Sequence, residues 1–237
     1  ARGGGTARAR PATAQRQGAG SRALERHALR AERPIVHDHH LKPQAALLPG
    51  ETVDQDALGE LETQLLLSDV GAHKMWISRY YQCQEPNTCL ISNGFCTMGF
   101  AMPGSIGAKF AFPDKKILSI SGDAGFSMNV QELETAVRLK KNIVAMVWVD
   151  GEYGLIKWKQ QDHFNGKHSD LQFGNPDFAK LAESYGMWGK EVTAADQLIP
   201  TLEEAFQQEG PALIAVPVDY AENRKLTARL GAIEIPI

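Results

Sequence analysis

The sequence Ser-Gly-Asp-Ala-Gly-Phe at positions 121–126 decides the fold, together with Val-Asp-Gly-Glu-Tyr-Gly at positions 149–154. The first segment follows the apolar run Ile117–Ile120 and the second closes the next apolar run, so two strands are predicted to end on Asp123 and Asp150. In open α/β sheets, strand ends that border one crevice, with a small-residue loop leading into a helix, bind phosphorylated ligands. The pattern therefore predicts a crevice for such a ligand.

The small residues in this stretch predict both a loop and a cation site. Gly122, Asp123, Ala124 and Gly125 are expected to form the loop, with the N–H groups of Ala124 and Gly125, at the start of the next helix, facing a diphosphate. The 26 residues between Asp123 and Asp150 suffice for one helix and one strand, which would bring both carboxylates to one ion. Mg²⁺ prefers such oxygen ligands, and helix capping by Asp123 is the weaker alternative.

Apolar runs alternate with helical patterns on both sides of this stretch. Strands are predicted at 65–70, 88–92, 116–121, 142–150, 190–193 and 212–218, and helices at 73–82, 98–110, 129–139, 176–185 and 195–208. Pro176 is expected at the first position of its helix, after an extended loop that carries His163 and His168. Six strands interleaved with helices predict an α/β fold with a doubly wound, mainly parallel sheet, helices on both faces and right-handed crossovers.

Charge and composition divide the chain into a basic tail and an acidic body. Residues 1–50 hold eight Arg and one Lys against three acids, whereas the whole chain has a formal net charge of -3. We expect an irregular or disordered tail over residues 1–60, a globular domain over 61–230 and a short C-terminal tail over 231–237. No aromatic residue precedes Trp76 to accompany the basic residues, so we expect no nucleic-acid partner.

Other kinds of site receive little support from the sequence. No apolar run approaches the ~18 residues that a membrane helix needs, so we expect a soluble, cytoplasmic protein. Cys83, Cys89 and Cys96 form no C-x-x-C pair and are expected to be reduced packing residues. His163 and His168 lack further metal ligands nearby, which favours a structural or solvent-exposed role. No G-x-G-x-x-G follows a strand, which argues against a dinucleotide-binding dehydrogenase.

The order Gly122-Asp123-Ala124 and then Asp150 is similar to the thiamin diphosphate motif, in which Gly-Asp-Gly precedes an Asn or Asp by about 26 residues. Further matching segments are Ser-Asp-Val-Gly-Ala-His-Lys-Met-Trp at 68–76, Gly-Phe-Cys-Thr-Met-Gly at 94–99, Glu-Leu-Glu-Thr-Ala-Val at 132–137 and Pro-Val-Asp-Tyr at 217–220. Together, over residues 65–229, they resemble the C-terminal, diphosphate-binding domain of acetolactate synthases.

The resemblance implies a thiamin diphosphate- and Mg²⁺-dependent carboligase that condenses two pyruvates to 2-acetolactate with loss of CO₂. Such an enzyme serves acetoin or branched-chain amino acid biosynthesis, and it would form a homodimer or tetramer through this domain. In the family, the glutamate that activates the cofactor belongs to an N-terminal pyrimidine-binding domain, which this chain would need in cis or in trans. A related 2-keto acid decarboxylase or oxidase, or an inactive remnant serving cofactor binding or subunit association, remains an alternative.

The resemblance also assigns roles to individual residues. Asp123, Asp150 and the backbone carbonyl of Glu152 would hold Mg²⁺. Met98 would be the bulky apolar residue that bends the cofactor into a V, which brings its aminopyrimidine nitrogen against the thiazolium C2. The complete set implied to bind the cofactor is Val70, Gly71, His73, Thr97, Met98, Gly122, Asp123, Ala124, Gly125, Asp150, Glu152, Tyr153 and Gly154.

Three positions depart from the family pattern. Ala124 replaces the second glycine of the motif, which is tolerable if its φ is negative. Asp150 replaces the commoner Asn and should tighten Mg²⁺ binding by adding negative charge. Lys159 occupies the place where biosynthetic relatives have a Trp that favours 2-ketobutyrate, with Trp158 one residue away. This departure favours the catabolic, pyruvate-only type, which does not need FAD.

Overall fold

A computed structural model describes residues 64–83, 85–221 and 223 of the chain. Six strands form one sheet in the order β2-β1-β3-β4-β6-β5, and every described pair is parallel. The strands are β1 (Leu65–Ser68), β2 (Cys89–Ile91), β3 (Ile117–Gly122), β4 (Val144–Val149), β5 (Trp188–Glu191) and β6 (Ala212–Pro217). The predicted α/β fold with a parallel sheet is confirmed.

Helices connect successive strands of the sheet. They are α1 (His73–Tyr80), α2 (Ala101–Ala111), α3 (Asp123–Met128), α4 (Glu132–Arg138), α5 (Gly154–His163), α6 (Phe178–Ser184) and α7 (Leu198–Phe206), and a 3₁₀ turn (Ala195–Gln197) precedes α7. In α7, residues Leu198, Leu202 and Ala205 recur at the three- to four-residue spacing of one buried helix face. This spacing is the local reason why α7 packs on the sheet.

The two faces of the sheet have separate hydrophobic cores. On one face, Leu118 and Ile120 of β3 pack with Trp76 of α1 and Leu202 of α7. On the other face, residues of α2, α3, α4 and α6 pack against the sheet, including Met102, Phe126, Leu133 and Phe178. The central strands are apolar along their length because a parallel sheet covered on both faces has no solvent-facing side.

The strand order places the predicted crevice at the carboxyl ends of β1, β3 and β4. The chain passes from β1 to β2 on one side and then returns to β3 on the other side of β1. In the register of β3 and β4, Gly122 pairs with Trp148, so Asp123 and Asp150 follow at adjacent strand ends. Ligands bind at such reversals because the connecting helices diverge there and leave the strand ends open.

Three local expectations were wrong. No loop separates β3 from the helix that was expected to start at Ala124 and Gly125, because α3 begins at Asp123, directly after β3. The expected loop after β4 contains α5, of which His163 is the last residue. Pro176 precedes the helix that it was expected to open, since Asp177 is the N-cap of α6 and accepts a hydrogen bond from Lys180 N.

The remaining expectations have mixed outcomes. Residues 1–60 and 231–237, expected as tails, lie outside the described residues. None of the described helices combines the length and apolarity needed to cross a membrane. The three cysteines are free, as expected, but Cys83 and Cys96 are exposed, so only the half-buried Cys89 packs against the core. Exposure of the other two contradicts the packing role.

Candidate functional site

Asp123 lies at the centre of the crevice and is only 1% exposed. Its Oδ2 accepts hydrogen bonds from Gly151 N at 2.7 Å, Asp150 N at 3.2 Å and Asn175 Nδ2 at 2.6 Å. Its Oδ1 accepts one hydrogen bond from a described residue, Ala124 N, at 2.8 Å. A carboxylate oxygen has two lone pairs, so Oδ1 keeps acceptor capacity for a ligand whereas Oδ2 is saturated.

Asp150 follows the neighbouring strand and is half-buried close to Asp123. Burial, and then the negative charge of Asp123, raise the pKa of the Asp150 carboxyl to about 7. Two carboxylates that share a partly desolvated site disfavour each other's ionised form. The pair therefore has excess negative charge that a bound cation would neutralise.

The loop after β4 presents a backbone oxygen near this pair. Glu152 pairs with Gln172 in an isolated antiparallel bridge, and its carboxylate contacts Lys157 Nζ and Gln172 Nε2. The Lys157 contact lowers the pKa of Glu152, so the carboxylate is paired with Lys157 and Gln172. The Glu152 carbonyl accepts a hydrogen bond from Gly154 N at 3.0 Å, which leaves a second lone pair on the oxygen.

His73 forms part of the wall between β1 and β3. It is 1% exposed, and its Nε2 donates to the carbonyl oxygen of Asp69 at 3.1 Å. Burial lowers the pKa of His73 to about 4, so the ring is neutral near pH 7 and keeps a lone pair on Nδ1. An added Cβ at Gly122 would lie 3.3 Å from this Nδ1, so the small residue allows the ring to approach the strand end.

A carboxylate braces the loop that carries Met98. Asp69 is buried at the end of β1, where its Oδ1 and Oδ2 accept hydrogen bonds from Ala101 N at 2.6 Å and Gly99 N at 3.0 Å. Asn129 Nδ2 donates to Gly99 O at 2.7 Å from the opposite side. Gly99 has a φ of 76°, which favours glycine. These bonds fix the backbone on the C-terminal side of Met98.

A cleft of about 650 Å³ joins these features. Of the residues assigned by resemblance, the structure brings together at its wall Val70, Gly71, His73, Met98, Gly122, Asp123, Ala124, Gly125, Asp150, Glu152, Tyr153 and Gly154. Thr97 is exposed and does not line the cleft. Ala124 lies in α3 and is absent from the described residues with positive φ, so its methyl group causes no backbone strain.

The described lining of the cleft is acidic. Among the described residues that line it, none is Lys or Arg, whereas Asp123, Asp150 and Glu152 contribute carboxylates. No group of three His, Cys, Asp or Glu side chains in the described part of the chain is arranged to hold a metal ion. Two carboxylates and one backbone carbonyl nevertheless suit Mg²⁺ when a phosphorylated ligand completes its coordination.

Three residues at the site were not assigned a role from the sequence. Asp69 and Tyr220 lie in the segments 68–76 and 217–220 that resemble the family, whereas Asn175 lies outside those segments. Tyr220 stacks on Trp148 with ring centroids 6.4 Å apart, and burial and the charge of Asp150 raise its pKa. Only the three-dimensional arrangement reveals these contacts.

A second, wider cleft of about 1620 Å³ shares the Asp150–Glu152 loop with the first. It extends along α5, where Lys157, Trp158 and Gln161 line it, and reaches Asn175. Trp158 is half-buried in this wall, whereas Lys159 is exposed on α5 and lines neither cleft. The Ala124 N–H, which is expected to face a diphosphate, donates to Asp123 Oδ1 in this structure.

Comparison with known proteins gives the site a chemical context. Residues 69–216 match the family model described as thiamine pyrophosphate enzyme, C-terminal TPP binding domain. An acetolactate synthase of Bacillus subtilis is 46% identical over 160 residues, which are 68% of this chain and 28% of that protein. A catabolic acetolactate synthase of Raoultella terrigena is 41% identical over 170 residues, 72% of this chain and 30% of that protein.

A probable acetolactate synthase large subunit of Methanocaldococcus jannaschii is 33% identical over 186 residues, 78% of this chain and 32% of that protein. The chain thus spans about a third of the length of the relatives that it matches. The matched region contains Asp123, Asp150 and every other residue that the resemblance assigns to the cofactor.

Proposed function

Because the chain belongs to the thiamine pyrophosphate enzymes through their C-terminal TPP-binding domain, we propose that it is the cofactor-binding part of an acetolactate synthase. The single observation that supports the proposal most is the convergence of Asp123 and Asp150 in a cleft whose described lining residues include no Lys or Arg. A diphosphate cannot enter an anionic cleft favourably unless a cation accompanies it. Mg²⁺ between the two carboxylates and the diphosphate meets that need.

In this proposal the ligands from the chain are Asp123, Asp150 and the carbonyl of Glu152. Support comes from the free acceptor capacity of Asp123 Oδ1 and from the raised pKa of Asp150, since a cation would stabilise its ionised form. The remaining ligands would be phosphate oxygens and water, as is usual for Mg²⁺ at a phosphorylated cofactor.

The other residues of the cleft would bind and orient the cofactor. Bound thiamin diphosphate supplies the electron sink that stabilises the carbanion left when a 2-keto acid loses CO₂. Met98, held by the Asp69 bonds to the neighbouring amides, would support the bent form of the cofactor. His73 is neutral and fixed by Asp69 O, so it would orient the cofactor without adding charge.

Pyruvate is the proposed substrate, and 2-acetolactate with CO₂ the proposed products. The similarity to the Bacillus acetolactate synthase and to the catabolic Raoultella enzyme supports this choice, and the exposed Lys159 in place of a Trp agrees with a catabolic enzyme that needs no FAD. A pyrimidine-binding domain, in cis or in trans, would provide the activating glutamate. Incubation of that complete assembly with pyruvate should release acetolactate, whereas acetaldehyde would indicate a decarboxylase.

The same domain is proposed to associate with a second copy. Large apolar side chains project from the described surface, including Phe95, which is 97% exposed, and Phe110, which is 58% exposed. The proposed extent of the domain is 61–230, with residues 1–60 and 231–237 as tails.

Calorimetric titration with thiamin diphosphate tests the cofactor assignment. We expect binding that requires Mg²⁺ and that Asp123→Ala weakens by about 100-fold or more, because loss of a ligand exceeds the 10- to 100-fold cost of losing a residue that supports one. Asp114→Ala is the matched control, since Asp114 is exposed on the turn before β3. Absence of Mg²⁺-dependent binding, or equal affinity in both variants, would refute the assignment.

A further inference from the structure

Asn175 makes a side-chain contact with the central carboxylate of the cleft from a distant part of the chain. Its Nδ2 donates to Asp123 Oδ2 at 2.6 Å, across 52 positions of sequence. The other end of the same amide, Oδ1, is buried without a hydrogen-bond partner among the described residues. A buried amide oxygen without a partner costs free energy, so the contact with Asp123 is the interaction that accounts for the placement of this amide.

The backbone before Asn175 holds the amide in a defined position. Residues 171–173 run antiparallel to the loop after β4, with Tyr153 N bonded to Leu171 O at 3.0 Å and Phe173 N to Gly151 O at 3.2 Å. Pro176 restricts Asn175 to extended conformations from the other side. The segment is thus hydrogen-bonded to the same loop that supplies Asp150, and these bonds place the Asn175 amide beside Asp123.

The contact determines which oxygen of Asp123 is available. Asn175 and the amides of Asp150 and Gly151 supply three donors to Oδ2, so this oxygen has no acceptor capacity left. The other oxygen, Oδ1, receives only the Ala124 N–H among the described residues. Rotation of the carboxylate about its Cβ–Cγ bond would break the Asn175 contact, which involves a charged acceptor and is therefore stronger than a neutral one.

We propose that Asn175 is a positioning residue for the cation site, which clamps Oδ2 of Asp123 so that Oδ1 is presented to Mg²⁺. This inference rests on the proposed function, because it concerns the ion that accompanies thiamin diphosphate. Asn175 is not itself a ligand in this arrangement, since its donor nitrogen faces the carboxylate. Partners of this kind commonly change metal affinity by about 10- to 100-fold when removed.

The test measures Mg²⁺ and Ca²⁺ affinities by calorimetry on the full chain, at a fixed excess of thiamin diphosphate. In Asn175→Ala we expect the Kd for Mg²⁺ to rise about 10- to 100-fold. The Kd for Ca²⁺ should rise less, because Ca²⁺ accepts irregular coordination whereas Mg²⁺ demands near-octahedral geometry. A role confined to protein stability would not change the ratio of the two affinities.

Asn142→Ala is the matched control for the loss of an Asn side chain. Asn142 precedes β4, at the opposite edge of the sheet, and its Nδ2 donates to Gln208 O. This variant should retain the wild-type Mg²⁺ affinity. Asn175→Gln is the second variant, and it keeps an amide while moving the donor by one methylene group, so it should also weaken Mg²⁺ binding.

The outcomes separate this inference from the proposed function. A wild-type chain that binds no thiamin diphosphate even with Mg²⁺ overturns both. Wild-type binding with an unchanged Mg²⁺ Kd in folded Asn175→Ala or Asn175→Gln overturns only the role of Asn175. An equal rise of the Kd values for Mg²⁺ and Ca²⁺ in both variants would also overturn this role, because it would indicate that Asn175 supports folding rather than the position of the carboxylate.

Discussion

The proton on Asp150 should compete with Mg²⁺, and replacing this residue with Asn should remove the competition. Burial and the charge of Asp123 raise the pKa of Asp150 to about 7, so below that pH the carboxyl is mostly protonated in the metal-free protein. Mg²⁺ must then displace the proton before the oxygen can serve as a ligand. Affinity for Mg²⁺ should therefore fall as the pH falls through 7.

The size of the effect follows from the fraction of ionised Asp150. With a pKa of about 7, roughly a tenth of the carboxyl groups are ionised at pH 6 and about nine tenths at pH 8. The Kd for Mg²⁺ should thus be about tenfold higher at pH 6 than at pH 8 through this group alone. The diphosphate of the cofactor adds its own titration, which Asp150→Asn shares with the wild type.

Comparison of the two proteins isolates the contribution of Asp150. Mg²⁺ is titrated calorimetrically at pH 6 and pH 8, with thiamin diphosphate in fixed excess, and the ratio of the two Kd values is compared between wild type and Asp150→Asn. We expect the wild-type ratio to be about ten times larger. Equal ratios would show that Asp150 is already ionised at pH 6, and the argument from burial and Asp123 would then be wrong.

Three further predictions concern stability. Because the folded-state pKa of Asp150 is raised, this residue contributes stability that is present below pH 4 and is lost as the pH rises through 7. The free energy of unfolding of the metal-free wild type should therefore fall by about 1–2 kcal/mol relative to Asp150→Asn between pH 5 and pH 8, after discounting for solvent screening. Parallel pH profiles of urea unfolding for the two proteins would contradict this. Gly125→Ala would place a Cβ 2.7 Å from Asp69 Oδ2 and should lower the free energy of unfolding in urea by about 1–3 kcal/mol. Gly107→Ala, in open space on α2, should instead raise it by up to about 1 kcal/mol. Wild-type stability of Gly125→Ala would mean that the Asp69 carboxylate moves aside at little cost. Asp69→Asn replaces one of two acceptor oxygens with a donor facing a backbone N–H, so it should cost about 1.5–3 kcal/mol and weaken cofactor binding near Met98; unchanged unfolding would show that the two amides find other partners.

Much of the fold was predictable from the sequence because the strands are strongly apolar. All six predicted strands occur, and the adjacency of β3 and β4 brings Asp123 beside Asp150 as expected. Helix α5 was missed because none of its residues is buried, so its sequence shows no apolar face for periodicity to reveal. The bounds of helix α3 were not predicted, although a helix start was expected at Ala124 and Gly125, because α3 spans only Asp123–Met128 and contains a glycine. Packing of Phe126 rather than helix propensity stabilises it.

Prediction of the site was limited for a different reason. The segments that resemble the family place the motif residues at one cleft, because they lie at strand ends. Asp69 meets Gly99 across 30 positions, and Asn175 meets Asp123 across 52, and neither pairing is encoded in local spacing. Such contacts depend on how loops pack after the sheet has formed. They therefore had to be read from the structure.

Anomalous diffraction from Mn²⁺ tests the central claim most directly, since Mn²⁺ favours the same oxygen ligands as Mg²⁺ and can be located by its own signal. Crystals of the chain grown with thiamin diphosphate and Mn²⁺ should show one anomalous peak within about 2.0–2.3 Å of oxygens from Asp123, Asp150 and the Glu152 carbonyl. The cofactor's diphosphate should complete its coordination. A bound cofactor whose metal lies away from both aspartates, or has no aspartate ligand, would contradict the account.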